Sequence, residues 1–446
     1  MDRRALPAAS GRRTLPTTTD RRTLLAALGT TALAGCSSCS PAPSGTTAAR
    51  APWPAPHGDP TNAGDVAGRP APSDDPPVVT RNLHDFVDRA RNDVLSARSP
   101  VVGTDHVFVA TGREAEGSEQ VGRLFAFPRE TDATEPAWIE RVPGGASAAP
   151  AVVGDLVVVP TFDGRLVARE TATGDRRWTR TLGAALGTPT VAENRLYVGD
   201  RGGTLRALRP DGSDCWRVGR GPPVGGIGLG RSPRASVKPA VADGSVYAVY
   251  LREDPTPDRG VLVAHDRADG STRWEYAFVA ERHPVRAPVI AAGTVYLPGG
   301  DALHAVDAAS GERRWRYAVG TSEGVSTPAV RDGVVYACAK NVHALDAPDG
   351  TERWRFVNEY VGDPLTQRKP LYAAPLAGDG FVYAGLGALD AATGEPRWGE
   401  FGNDPESTLF GTAVGGNLAS QGPALADGAL YAAVRYGLLV RFGGGG

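Results

Sequence analysis

The sequence predicts an all-β chain built as an eight-bladed β-propeller of four-stranded antiparallel blades. Three observations carry that prediction. A tryptophan-closed motif recurs along most of the chain, a proline opens each unit, and turn-forming residues are abundant, with 57 glycines and 37 prolines among 446 residues. Repetition at about 40–50 residues with several short strands per unit is the signature of propeller blades.

The motif appears as ARETATGDRRW (168–178), ALRPDGSDCW (207–216), AHDRADGSTRW (264–274), AVDAASGERRW (305–315), ALDAPDGTERW (344–354) and ALDAATGEPRW (388–398). A looser copy, AFPRETDATEPAW, spans 126–138. One unit shows how it folds. Pro328 leads a first short strand, Asp332-Gly333 makes a turn, and Val334 to Cys338 alternates as a second strand. Val342 to Leu345 is a third strand, Asp346 to Gly350 a second turn, and Arg353 to Phe356 the fourth strand.

Pro100, Pro150, Pro189, Pro239, Pro288, Pro328, Pro375 and Pro423 open units. The closing tryptophans are Trp138, Trp178, Trp216, Trp274, Trp315, Trp354 and Trp398. The eighth unit therefore ends at its third strand, Leu438 to Phe442, and an open sheet edge there invites aggregation. The missing strand is expected from the N-terminus. Of two candidates, Trp53 to Asn62 is preferred over Pro77 to Val87 because it supplies the eighth tryptophan.

Upstream, Arg21-Arg22 precede a short apolar run, Leu24 to Gly35, which is too short for a permanent span. A twin arginine at this place resembles a signal for export of folded proteins. Leu33-Ala34-Gly35-Cys36 resembles the lipobox of bacterial lipoproteins, which implies cleavage before Cys36 and a lipid on that cysteine. Residues 1–36 are thus expected to be a lipoprotein signal, 37–52 a Pro/Ser-rich tether, and 53–446 the propeller.

A formal charge of −2 supplies no field for nucleic acid. Four cysteines are too few for a disulfide scaffold, and Cys215 and Cys338 read as small core residues.

The A-x-D-x-x-x-G-x-x-x-W pattern resembles the PQQ-like propeller family, named after quinoprotein alcohol dehydrogenases. The likeness covers roughly residues 53–442, and the Trp53-to-Asn62 stretch is similar to the leading segment of exported, non-enzymatic members. Quinone enzymes and a lipoprotein scaffold of outer-membrane protein assembly both belong to this family. The resemblance implies that the indole packs between blades and that Asp266, Asp307, Asp346 and Asp390 are structural. Pro128, Glu170 and Arg209 occupy the Asp position in the first three units, where less regular turns are expected.

A quinone enzyme of this family is expected to hold pyrroloquinoline quinone and calcium in its central funnel, beside an aspartate base and a disulfide of adjacent cysteines. No two cysteines are adjacent here, and phosphate-loop, HExxH and CxxCH motifs are all missing. His265, His304 and His343 recur in third strands, read as repeat-derived polar positions rather than metal ligands. No catalytic residue, metal site or cofactor is assigned, with quinone and calcium kept as the alternative.

Long connections remain at Gly219–Val237, Val357–Tyr372 and Gly399–Gly422. Function tends to sit on such loops. They and their flanks supply the partner-binding candidates Arg220, Arg231, Arg234, Lys238, Arg368, Lys369, Asn403 and Asn417. The expectation is a monomeric, exported platform, anchored through Cys36 on the outer face of the cytoplasmic membrane or in the periplasm. Its partner would be an envelope protein or wall component. A quinone-dependent oxidoreductase is the runner-up.

Overall fold

The computed structural model describes residues 53–443, apart from 67, 70–71, 73–75, 88–95, 113, 117–118, 130–132, 220–237, 253–258, 280–285, 320–323, 358–372, 386, 400–421 and 435–436. Eight antiparallel sheets follow one another along the chain. Their innermost strands, blades 1 to 8, are Val101–Val102, Ala151–Val153, Thr190–Ala192, Ala240–Ala242, Val289–Ala291, Ala329–Arg331, Leu376–Ala377 and Ala424–Ala426. The outermost strands of blades 1 to 7 are Trp138–Pro143, Arg176–Thr181, Asp214–Gly219, Thr272–Val279, Arg313–Ala318, Glu352–Phe356 and Pro396–Gly399. Blade 1 carries a fifth strand, Glu114–Glu116, from a hairpin inserted before its third.

The predicted strand patterns form because small and β-branched residues alternate on surfaces buried from both sides. Second strands such as Leu156–Pro160 and Val334–Cys338 are buried at every position. Outer strands are more exposed and alternate from Arg177 on, as in Arg176–Thr181, where Trp178 and Arg180 are half-buried between exposed neighbours. The core is consequently a set of wedges between neighbouring sheets. Val142, Leu124 and Ala126 of blade 1 meet Val152, Val157 and Val159 of blade 2, for example.

Each closing tryptophan reaches across its wedge. The indole N–H donates to the backbone carbonyl one residue past the motif Asp position of the next blade. The bonds run from Trp178 to Pro210 (2.9 Å), Trp216 to Arg267 (2.9 Å), Trp274 to Ala308 (3.0 Å), Trp315 to Ala347 (2.8 Å) and Trp354 to Ala391 (3.0 Å). Trp138 does the same to Thr171 at 3.3 Å. The motif glycine lies under that ring. At Gly350, φ is +76° and a Cβ would sit 2.8 Å from the Trp315 ring, so both the backbone and the space demand glycine.

The motif aspartate holds the turn. Asp307 accepts the N–H groups of Ala309 and Ser310 and pairs with Arg314 at 2.7 Å. The Arg397 guanidinium, with the N–H groups of Thr393 and Ala392, holds the Asp390 carboxyl down at about 2. Glu170, out of pattern, still pairs with Arg177 at 2.6 Å, so its turn keeps the same clamp.

The closing strand is the less favoured candidate. Val78–Asn82 pairs antiparallel with Leu438–Gly443 and completes blade 8, so the preference for Trp53 to Asn62 is corrected. A tryptophan was the wrong criterion, because alternation decides strand pairing: Val78 and Thr80 face one side of the sheet, Val79 and Arg81 the other. This strand brings no tryptophan to the blade 8–blade 1 boundary. Arg81 stands in, its Nε donating to Ala133 O at 2.9 Å while its guanidinium lies 5.3 Å from the Phe127 ring. On the other side of blade 8, whose last two strands are joined by no turn, the Trp398 indole N–H is buried without a partner among the described residues, and its ring packs on Phe442.

Cys338 is a buried free thiol, as read from the sequence. Cys215 is not a core thiol: it is half-buried on the outer strand of blade 3 and disulfide-bonded.

Two alanine substitutions in one blade separate ring contact from backbone strain. Gly333 has φ +73° with nothing near a Cβ, whereas Gly350 meets the Trp315 ring. Urea denaturation is expected to give a loss of ~1 kcal/mol for Gly333→Ala and ~3 kcal/mol for Gly350→Ala. Equal losses would remove the indole contact as the constraint on that turn.

Candidate functional site

The segment Trp53 to Val66 runs along the innermost strands instead of joining a blade. Trp53 exchanges two 2.9 Å backbone bonds with Val102 of blade 1. Beyond it, Val152 N–H donates to Pro54 O, Val241 N–H to Pro60 O, Ile290 N–H to Thr61 O, Val330 N–H to Ala63 O and Ala377 N–H to Gly64 O. Inner strands of blades 1, 2, 4, 5, 6 and 7 are thereby capped by one strap. Pro54, Pro56 and Pro60 suit the task because the strap is read mainly through its carbonyls, which proline keeps.

The strap's side chains hold it in place. Trp53 is fully buried, and its ring leaves no room for a Cβ on Gly58, which has φ +72°. Arg69 lies over the same ring at 5.0 Å. Asn62 sits at φ +61°, a region asparagine tolerates, and its amide donates to Pro288 O at 2.9 Å and Pro239 O at 3.3 Å. One side chain thus ties the strap to the first residues of two blades. His57 is buried with Nδ1 2.8 Å from Asn62 O. Burial, then the nearby Lys238 charge, push it down to about 3, so the ring is neutral.

Of the partner-binding candidates, Lys238 alone falls among the described residues. It was expected at a loop rim, but it is 2% exposed. Its ammonium donates to Pro56 O and, at 3.4 Å, to Asp59 O. Lys238 therefore fastens the strap where the chain returns into blade 4. Burial lowers its pKa to about 7 against a partial offset from Asp59. Arg220, Arg231, Arg234, Arg368, Lys369, Asn403 and Asn417 lie outside the described residues, as do Arg21, Arg22 and Cys36.

The three histidines are tied individually. His265 bonds to Tyr250 Oη (3.0 Å) and Gly270 O (2.9 Å). His304 bonds to Tyr276 Oη at 2.9 Å, and burial pushes it down to about 4. His343 bonds to Tyr317 Oη (3.2 Å) and Glu352 (3.1 Å). No group of three His, Cys, Asp or Glu side chains is placed to hold a metal among the described residues.

A proline-led, tryptophan-closed ring of eight sheets can now be compared with known proteins. Residues 131–283 and 258–442 match the family described as outer membrane protein assembly factor BamB. The chain belongs to that family. Among curated relatives, BamB of Moranella endobia is 25% identical over 235 residues, covering 51% of this chain and 57% of that protein. The serine/threonine-protein kinase AfsK of Streptomyces coelicolor is 29% identical over 207 residues, 44% of this chain and 22% of the kinase. The chain thus spans from about a fifth to under two thirds of the curated relatives it matches.

Solved structures share the fold at low identity. BamB from Moraxella catarrhalis superposes with TM-score 0.53 at 15% identity, covering 82% of this chain and 98% of that one. Quinohemoprotein alcohol dehydrogenase from Comamonas testosteroni gives 0.61 at 14%, covering 88% and 81%. Among the described residues, inner-strand N–H groups of blades 1, 2, 4, 5, 6 and 7 are taken by the strap, and His57, Asn62 and Lys238 beside it bond to the chain itself.

Sequence reading missed the strap's role, although its alternating prolines and the isolated Asn62 were the available signal. Between pH 7 and 10.5 the unfolded chain holds the Lys238 proton and the folded protein releases it, so this group makes stability rise with pH across that window. The difference in Tm between the protein and Lys238→Met is expected to shift in the protein's favour from pH 7 to pH 10. A constant difference would mean that Lys238 titrates normally. Asn62→Ala is expected to cost ~2–3 kcal/mol in urea denaturation through two orphaned carbonyls and a left-handed alanine.

Proposed function

We propose that the protein is an exported, lipid-anchored β-propeller that works as a binding and scaffold platform in the cell envelope. The observation that carries this reading is the strap. It takes up backbone donors along the inner strands of blades 1, 2, 4, 5, 6 and 7, which leaves recognition to the outer surfaces and connecting loops. Membership of the BamB family supports the same class of role, and in a cell with two membranes it favours assembly of envelope proteins. The kinase match covers too little of that protein to lend its activity.

The Arg21-Arg22 segment and the Leu-Ala-Gly-Cys sequence ending at Cys36 support export followed by lipidation. From Cys36 to Trp53, where the strap begins, the chain has 17 steps, enough for roughly 50–60 Å if extended. That tether lets a propeller sample partners near the membrane while remaining attached. The loop candidates Arg220, Arg231, Arg234, Arg368, Lys369, Asn403 and Asn417 are the residues offered to such partners.

Two experiments test the reading. Cys36→Ser is expected to move the protein from the membrane fraction to the soluble exported fraction, and Arg21→Lys/Arg22→Lys to keep it inside the cell. Retention of the Cys36→Ser protein in the membrane would refute the anchor. Titration with pyrroloquinoline quinone plus calcium, followed by absorbance and dye reduction, is expected to show neither binding nor turnover. Stoichiometric binding with dye reduction would make the oxidoreductase reading correct instead.

A further inference from the structure

Blade 3 departs from its neighbours at one surface position. In blades 2, 4, 5, 6 and 7 the residue before the closing tryptophan is an arginine: Arg177, Arg273, Arg314, Arg353 or Arg397. Each pairs with the acidic residue at the motif Asp position, seven residues earlier. Blade 3 has exchanged both halves of that clamp, with Arg209 and Cys215 in the two places. Cys215 is half-buried on the outermost strand and disulfide-bonded. We propose that its partner is Cys39, which ties blade 3 covalently to the chain three residues after the lipid-bearing Cys36.

The turn of blade 3 does not need this cysteine. Asp211 holds it, accepting the N–H (2.8 Å) and the hydroxyl (2.6 Å) of Ser213. Arg209 donates from Nη1 to Ser213 Oγ and Asp214 O, both at 3.2 Å. In the ladder Ala207 pairs with Trp216 and Leu208 with Asp214, which leaves Cys215 as the bulged residue. The matching bulge in blade 5 carries Arg314, whose side chain reaches solvent. A thiol at such a bulge on an outermost strand can be reached without opening the ring.

Cysteine arithmetic names the partner. The chain has four cysteines, and Cys338 is a free thiol with no exposed surface on the second strand of blade 6. That leaves Cys36 and Cys39, both outside the described residues. A lipid thioether on Cys36 occupies the sulfur that a disulfide would need, so Cys39 is the partner. The choice between the two rests on the lipid-anchor reading. Chain length allows the bond. From Cys39 to Trp53 there are 14 steps, roughly 45–50 Å when extended. The path from the inner strand of blade 1 to the outer strand of blade 3 crosses two intersheet gaps of about 10 Å and three strand spacings of about 5 Å.

The redox step uses a thiol oxidant of the exported compartment, where disulfides persist. Two S–H bonds are lost and one S–S bond forms. The two electrons and two protons reduce the disulfide of a dithiol oxidase to two thiols, through a mixed disulfide. Export of an already folded body requires that both cysteines be accessible afterwards. Cys215 on its outer strand meets that requirement, and buried Cys338 does not. The bond changes the tether. The 17 steps from Cys36 to Trp53 describe the reduced protein, whereas oxidation leaves three steps, about 10 Å, between the lipid and the edge of blade 3. Blade 3 then stands nearest the membrane, and residues 40–52 become part of a closed loop.

The test inserts a site-specific protease sequence between Thr47 and Ala48 of the full chain. Salt-washed membranes carrying the protein are cut at that site and sedimented. The propeller is expected to stay in the pellet until dithiothreitol is added, and in Cys39→Ser to be released by cutting alone. Release of the parent without reductant would overturn the proposal, as would retention of the cut Cys39→Ser protein. The bond is read separately in Cys36→Ser, by alkylating free thiols and mapping tryptic peptides without reduction. The peptides containing Cys39 and Cys215 are expected to be joined and to separate on reduction, and alkylated Cys215 there would sink the disulfide whatever the lipid does. Joined peptides in a parent protein that never reaches the membrane would instead keep the bond and refute the anchor.

Discussion

The interblade contact of tryptophan with the following turn is the constraint on which the ring depends. A four-stranded sheet buried on both faces has no preferred neighbour by hydrophobicity alone, since one aliphatic surface packs on another at many angles. The indole removes that freedom. Its flat face needs a turn without a Cβ, and its N–H needs one carbonyl, so only one placement of the next sheet satisfies both. The tyrosines add to it: Tyr247, Tyr296 and Tyr336 stand 5.8 to 5.9 Å from Trp274, Trp315 and Trp354 of their own blades. Where no tryptophan can be supplied, at the boundary closed by the N-terminal strand, Arg81 provides a flat cationic group with an N–H donor and so meets the same two demands.

Two closures at different radii hold the ring. Val78–Asn82 joins the first residues to the last at the outside, through a strand ladder. Trp53 to Val66 joins blade to blade at the inside, through carbonyls that satisfy inner-strand donors. Both come from residues 53–82, ahead of the first blade. A buried cation and a buried neutral imidazole, Lys238 and His57, stand beside the inner strap, and both are used to fix backbone rather than to do chemistry.

This explains how one fold serves unlike roles. The shared ring with a quinohemoprotein dehydrogenase lies in the sheets and wedges, which are indifferent to what occupies the centre. In this chain the N-terminal strap lies along the inner strands of blades 1, 2, 4, 5, 6 and 7.

The sequence by itself determined the blade count, the strand pattern and the turns, because these follow from local periodicity and from residues with one conformational use. The Asp–Gly–Trp motif is one such case, and its aspartates and glycines stand where the spacing put them. Even the departures at Glu170 and Arg209 were visible, although Glu170 turns out to clamp its turn as an aspartate would. The tertiary structure alone decided which N-terminal segment closes the ring and where Lys238 points. Each of these depends on partners about two hundred residues or more away. Pairing Thr80 with Val440, or Lys238 with Pro56, leaves no trace in the local sequence, because a carbonyl or a strand edge accepts any donor of the right geometry.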